Sequence, residues 1–158
     1  MIFVTVGTHR QQFDRLLKEI DRLVKEGTVK EEVFAQTGNS NYVPQEYKST
    51  KFLSDSEYNK MMKKADLVIT HGGAGGIITA MGYKKKIIVL PRLEKFGEHT
   101  NDHQIELCEA ISADGKAILV KEIKSLGETI ARAKKFKPRT ENTKEGLIKE
   151  VREFIEGI

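Results

Sequence analysis

The chain has 158 residues, 39% hydrophobic and 32% charged, with 27 Lys plus Arg against 23 Asp plus Glu and a formal charge of +4. That is the length of one domain and the composition of a soluble globular protein. The modest basic balance suits a nucleotide or an anionic membrane face as well as nucleic acid. No run of about 18 apolar residues occurs, so no membrane span is expected. The start, Met1-Ile2-Phe3-Val4-Thr5-Val6-Gly7, reads as a strand rather than a signal peptide, and the one cysteine, Cys108, excludes an internal disulfide and suits a reducing, cytoplasmic setting.

The hydrophobic period alternates between strand and helix along the chain. Ile2 to Val6 is a β-type run; Phe13, Leu16, Leu17, Ile20, Leu23 and Val24 then mark one face of a helix ending near Gly27. Val33-Phe34-Ala35 predicts a second strand, closed by the turn-rich Thr37-Gly38-Asn39-Ser40, and Lys51-Phe52-Leu53 a third. Ser54-Asp55-Ser56-Glu57 is a capping box opening a helix through Tyr58, Met61, Met62 and Ala65. Leu67 to Thr70 is a fourth strand, running into His71-Gly72-Gly73-Ala74-Gly75-Gly76 and a helix to about Tyr83; Ile87 to Leu90 is a fifth, stopped by Pro91. After a polar loop, Ile105, Leu107, Cys108 and Ile111 predict a helix, Ala117 to Val120 a sixth strand, and Lys121 to about Lys134 a helix weakened by Gly127. A basic break at Lys134 to Arg139 contains Pro138, and Asn142-x-x-Glu145 opens a last amphipathic helix over about 142–156 with Leu147, Ile148, Val151, Phe154 and Ile155. Apolar strands alternating with amphipathic helices predict a doubly wound parallel α/β sheet, Rossmann-like, over 1–158. Ligands in such folds bind beyond the carboxyl ends of the strands.

Three segments there carry chemistry. In His71-Gly72-Gly73-Ala74-Gly75-Gly76, glycines let a ligand approach backbone N–H groups at a helix N-terminus, which suits a diphosphate; the plainer reading is a tight strand-to-helix turn. The segment is neither G-x-G-x-x-G nor G-x-x-x-x-G-K-[ST], so dinucleotide and P-loop readings lose ground. Thr5-Val6-Gly7-Thr8-His9 is a second glycine loop, at the same end of the sheet. Pro91 to Gln104 is dense in hydroxyl-binding groups, Glu98, His99, Asn101, Asp102, His103 and Gln104, which suit a sugar; the plainer reading is a solvated loop with a helix cap. His99 and His103 are four apart, as metal ligands on a helix are, but a third ligand is not evident. The lysines at 63–64 and 84–86 read as solvated helix ends, and Cys108 as a small core residue.

Together these segments resemble the glycosyltransferase family 28 C-terminal domain, the donor-binding half of the GT-B glycosyltransferases related to MurG. More narrowly they resemble the small soluble subunit of two-component transferases. Some of these complete the chitobiose of dolichol-linked oligosaccharides; others build bacterial exopolysaccharide repeat units (PssE- or EpsF-like proteins). The carrying motifs are Ile2 to His9, Thr70 to Gly75, and Pro91-Arg92 with Lys95 to His99 and Asn101 to Gln104.

The resemblance implies a UDP-sugar donor, galactose or N-acetylglucosamine, and a hexosyltransferase of the inverting GT-B type. Gly7, Thr8, His71, Gly72, Gly73, Ala74 and Gly75 would hold the diphosphate. Gln36, Phe52, Leu53 and Thr79 would meet uracil and ribose; Thr79 stands where MurG-like enzymes carry a ribose-binding glutamate. Glu98, Asn101, Asp102, His103 and Gln104 would meet the donor sugar. His9 or His99 is the in-chain candidate for the base that deprotonates the acceptor; otherwise a partner supplies it. No cofactor or metal is expected, since helix N-termini and backbone N–H groups can stabilise the leaving diphosphate. The implied partners are a membrane-anchored subunit carrying the acceptor-binding half and a polyprenyl-linked saccharide acceptor. The chain would then sit peripherally at the cytoplasmic face of the membrane, with a homo-oligomer as an option in isolation and no nucleic acid. A non-catalytic regulatory or nucleotide-sugar-binding subunit is the competing reading.

Overall fold

A computed structural model describes residues 1–140 and 144–156. Its elements are β1 (Ile2–Thr5), α1 (Asp14–Lys25), β2 (Val33–Gln36), β3 (Lys48–Thr50), α2 (Asp55–Lys64), β4 (Leu67–Thr70), α3 (Ala74–Gly82), β5 (Lys86–Val89), α4 (His103–Ala113), β6 (Ile118–Leu119), α5 (Leu126–Ala133) and α6 (Lys144–Glu156). Short 3-10 turns cover Glu94–Phe96 and Ile123–Ser125. All strand pairs are parallel, in the order β3-β2-β1-β4-β5-β6.

The sheet separates two apolar layers because successive side chains of a strand point to opposite faces. Ile2, Val4, Ile69 and Ile88 pack with Leu16, Leu17 and Ile20 of α1 and with Leu126 and Ile130 of α5. Phe3, Val68, Ile87 and Val89 face the other way, onto Met62, Ile77, Leu107, Cys108 and Val151. With both faces covered, β1, β4 and β5 read as continuous apolar runs. The end of α1 is set by Gly27, at φ 76°, with the Thr28 and Val29 N–H groups turned back onto the Leu23 carbonyl, a left-handed stop that glycine takes without steric cost.

Two predicted elements differ. The third strand is Lys48–Thr50, three residues before the expected Lys51 to Leu53. It is an edge strand placed by backbone pairing, Phe34 with Lys48 and Gln36 with Thr50; the apolar Phe52 is 48% exposed beyond it. The helix expected from Lys121 starts only at Leu126, after the 3-10 turn. Gly127 belongs to it for packing: a Cβ there would lie 2.8 Å from Leu23 Cδ2, so its absence lets α5 approach α1. The capping box of α2 is present, with Ser54 Oγ accepting from the Glu57 N–H and Glu57 accepting from the Ser54 N–H. The expected cap at Asn142 lies outside the described residues. Two of the lysines read as solvated ends do a local job as well: Lys85 Nζ donates to the Lys63 carbonyl at the end of α2, and Lys86 Nζ to the Lys134 carbonyl after α5. Among the described residues no helix is long and apolar enough to cross a membrane.

Candidate functional site

Strand order reverses between β1 and β4. The chain leaves β1 toward one side of the sheet and β4 toward the other, so a crevice opens where their ends diverge. Thr5 and Thr70 are register partners at those ends, and a cleft of about 650 Å³ lies directly beyond them. Its wall includes Gly7, Thr8 and His9 after β1, His71, Gly73, Gly75 and Gly76 after β4, and Gln36, Leu53, Thr79 and Gln104.

His71 is the centre of this cleft. Its ring is packed between the two glycine loops: a Cβ on Gly7 would fall 2.4 Å from His71 Nε2, and one on Gly73 would fall 2.1 Å from Cε1. Only glycine leaves room for the ring on both sides, and Gly7 also needs its φ of 73°. Burial, followed by the nearby Arg92 charge, pushes the imidazole pKa down to about 3. His71 is therefore neutral at physiological pH and acts as a fixed hydrogen-bonding group rather than a charge.

Helix α3 begins beside it, with Gly73 as N-cap and no side chain bonding its first turn. The N–H groups of that turn have no partner inside the helix and carry its positive dipole end. Gly75 has nothing within 4 Å of a would-be Cβ, so its bare backbone is open to the cleft. Uncharged donors around a glycine-walled space can accept a diphosphate with close backbone approach.

The other side of the cleft is fixed by Gln36, whose side-chain oxygen accepts from the Leu53 N–H at 2.9 Å. Thr79 faces the cleft with its hydroxyl donating to the Gly75 carbonyl, leaving the oxygen as an acceptor. Asn39 donates to the Thr8 and His9 carbonyls and holds the first glycine loop from outside. Asp55, Tyr58 and Asn59 of α2 also line the cleft and were not among the expected residues; on sequence alone Asp55 reads as part of a helix start and Tyr58 as part of its buried face.

The structure does not bring all the expected residues together. Gly72 is buried, not lining: a Cβ there would meet Gln104 Cβ at 2.6 Å and Cys108 Sγ at 2.8 Å, so it lets α4 pack close. Ala74 starts α3 without lining the cleft, and Phe52 stands outside it. Of the polar run after β5, only Gln104 reaches the cleft wall. Asn101 accepts from the His103 N–H and Asp102 from the Glu94 N–H, so both shape the entry to α4.

Glu98, expected against a sugar, is fully buried and occupied elsewhere. Its carboxylate takes Arg15 Nε and a second Arg15 nitrogen at 2.8 and 2.9 Å, and the Leu93 N–H at 2.9 Å. A bidentate pair of this kind satisfies both oxygens, so Glu98 positions the loop and does not face the cleft.

The residue that sequence reading missed is Arg92. It is fully buried, and its guanidinium donates to the Val6, Gln11, Gln12 and Glu98 carbonyls at 2.5 to 3.1 Å, stacked over Phe13 at 5.1 Å. One side chain thus ties the exit of β1, the approach to α1 and the loop after β5 around the site. A lone arginine after a strand gives no hint of this, because all four acceptors are backbone.

His9 and His99 stack with ring centroids 4.7 Å apart and planes at 19°. His9 Nδ1 accepts from the Gln11 N–H and His99 Nδ1 from the Asn101 N–H. Burial and the charge of His99 hold His9 below the ordinary histidine range. A neutral ring accepting at Nδ1 carries its proton on Nε2. Neither ring then offers a basic lone pair while those bonds last. Cys108 is buried at the back of the site, its thiol pushed up to about 12 by burial, and is a packing residue. Among the described residues no group of three or more His, Cys, Asp or Glu could hold a metal ion.

The strand order and the position of the cleft define a Rossmann-like α/β domain of the kind that forms the C-terminal half of GT-B glycosyltransferases. The glycosyltransferase family 28 C-terminal domain matches residues 1–158, and the chain belongs to that family. UDP-N-acetylglucosamine transferase subunit ALG13 of Homo sapiens is 33% identical over 123 residues, covering 72% of this chain and 10% of that protein. The Mus musculus protein of the same name is 29% identical over 122 residues. The chain thus spans about a tenth of the length of these curated relatives. Among solved structures, an NMR structure of ALG13 superposes with a TM-score of 0.62 at 17% identity, covering 95% of this chain and 94% of that one. MurG of Acinetobacter baumannii superposes at 0.60 and 15% identity, covering 95% of this chain and 49% of that one. These likenesses show the same fold.

Proposed function

We propose that this chain is the donor-binding subunit of a UDP-sugar-dependent hexosyltransferase. It would transfer galactose or N-acetylglucosamine to a polyprenyl-diphosphate-linked saccharide. The observation that carries the reading is the neutral His71 held between two glycine loops at the β1–β4 crevice, next to the open N-terminus of α3. The name of the relative ALG13, a UDP-N-acetylglucosamine transferase subunit, supports both the donor class and the idea of a subunit.

In this reading the diphosphate lies between Gly7-Thr8 and the Gly73 and Gly75 backbone, accepting from backbone N–H groups and from His71. As the sugar–phosphate bond breaks, charge accumulates on the departing phosphate. Donors fixed beforehand stabilise that charge without reorganising. The nucleoside runs toward Gln36, Leu53 and Thr79, and the sugar toward Gln104 and the His9–His99 rim. The role of Glu98 becomes structural, through Arg15. The donors are supplied by the chain itself, so the reading needs no resident cofactor or metal.

The base that takes the acceptor proton is assigned to a membrane-anchored partner subunit, because the Nδ1 atoms of His9 and His99 are engaged by backbone N–H groups. That partner would also bind the acceptor and hold this chain at the cytoplasmic face of the membrane. The test is thermal stability of the chain, alone and with its partner, against UDP, UDP-galactose, UDP-N-acetylglucosamine, GDP, ATP and NAD. Stabilisation by the uridine compounds, with one sugar ahead, is expected. No selective stabilisation in either setting, with transfer activity unaffected by changes at His71, would favour a non-catalytic subunit instead.

A further inference from the structure

The usefulness of His71 as a donor depends on which ring nitrogen carries its proton. A hydrogen-bond relay behind the ring bears on that choice. Gln104, in the first turn of α4, has its side-chain amide between two groups. Its Oε1 lies 3.2 Å from the Arg92 backbone nitrogen, and its Nε2 lies 3.3 Å from His71 Nδ1. A backbone N–H can only donate, so the amide atom facing Arg92 is the oxygen. The NH₂ group therefore faces His71, and an NH₂ group can only donate. His71 Nδ1 must accept, which leaves the ring proton on Nε2. That nitrogen is the one directed at the Gly7 and Gly73 backbones, where a Cβ would fall 2.4 and 2.8 Å from it.

We infer that Gln104, oriented by the Arg92 main chain, is a positioning residue that holds His71 in the Nε2–H form and so keeps a donor aimed into the cleft. The residues around it explain why the relay is rigid. Gly72 has no side chain, which lets Gln104 Cβ approach to where a Cβ would be only 2.6 Å away. Arg92 is in turn immobilised by four carbonyls through its buried guanidinium. This inference rests on the donor-site reading above for its consequence in binding. The state of the ring can be measured without any ligand.

The test uses histidine labelled with ¹⁵N in the whole chain, at about pH 8, with ring nitrogen shifts read before and after adding UDP. In the native protein His71 is expected to show a protonated Nε2 and a bare Nδ1. Gln104→Glu keeps the shape and the contact to the Arg92 N–H but replaces the second donor by an acceptor. It is expected to move the proton to Nδ1 and to weaken UDP binding by about tenfold or more, the cost of losing a hydrogen bond to a charged group. Gln104→Met removes the amide at similar length and is expected to leave the two ring forms mixed. A native ring protonated on Nδ1, or a ring unchanged in both variants, would overturn the relay. Native protein that shows the expected ring form but does not bind UDP would instead count against the nucleotide reading, leaving the relay standing.

Discussion

Gly75→Ala separates the fold from the site, because the structure gives opposite expectations for the two. Apart from its chain neighbours and the backbone of its own helix, nothing lies within 4 Å of a Cβ built at Gly75, so a methyl group there disturbs no packing. Alanine is also the better helix former, by roughly 0.5–1 kcal/mol in a helix interior and less in the first turn. The unliganded variant is therefore expected to melt at the native temperature or up to about 3 °C above it. The same methyl points into the cleft, where a phosphate oxygen bonding the Gly75 N–H has to pass. Losing one N–H bond to a charged oxygen costs about 1.5–3 kcal/mol, or roughly 10- to 150-fold in affinity.

With UDP at about 100 times its dissociation constant, the native chain gains ~2.7 kcal/mol, or roughly 5–10 °C. A 50-fold weaker site at the same UDP concentration holds ligand at about twice its dissociation constant, which gives ~0.6 kcal/mol and a shift of roughly 1–3 °C. Melting curves with and without UDP read both quantities. A variant that keeps the full UDP shift would refute the approach of phosphate to this backbone, and one that melts well below native would refute the open geometry at Gly75.

Three further outcomes follow from the supports of the site. Arg92→Met removes the donors to four carbonyls from a buried position; a loss of about 3 kcal/mol or more in urea unfolding is expected, since each buried acceptor left without a donor costs about 1–3 kcal/mol. Glu98→Ala leaves Arg15 without its bidentate partner at a site where the carboxylate is fully buried. Its loss is expected chiefly in stability, by up to about 3–5 kcal/mol, and a variant as stable as native but unable to bind donor would return Glu98 to the cleft. The pH dependence follows from His71, whose pKa lies at about 3 in the folded chain against the ordinary 6.5. Between these values the unfolded chain binds a proton that the folded chain does not, so stability falls as pH drops from about 6.5 toward 3. The slope is at most ~1.4 kcal/mol per pH unit, reduced by the part of the ring edge that reaches the cleft. Equilibrium unfolding at a series of pH values should show this slope in native protein and a smaller one in His71→Asn.

What the sequence revealed and what it hid have physical reasons. The central strands were legible because both faces of β1, β4 and β5 are buried and need apolar residues throughout. Gly7 and Gly73 were legible because the close approach of the His71 ring leaves room for no other residue there. The edge strand Lys48–Thr50 carries no such demand on its side chains, and the exposed Phe52 drew the expectation three residues too far. Glu98 was misplaced because a carboxylate among hydroxyl-binding residues looks the same whether it faces a ligand or a partly buried arginine 83 residues away. Arg92 and the Gln104 relay depend on backbone acceptors and donors brought in from other elements, and no local pattern reports those.

The central claim is that a nucleoside diphosphate lies across the β1–β4 crevice against His71. Titration of ¹⁵N-labelled protein with UDP tests it most directly, followed through the backbone amides and the His71 ring. The account predicts saturable shifts concentrated at Gly7, Thr8, His71, Gly73, Gly75 and Gln104, with the far end of the sheet unmoved. Saturable shifts that spare both glycine loops, or none at all with UDP in the chain alone and in complex with its partner, would contradict it.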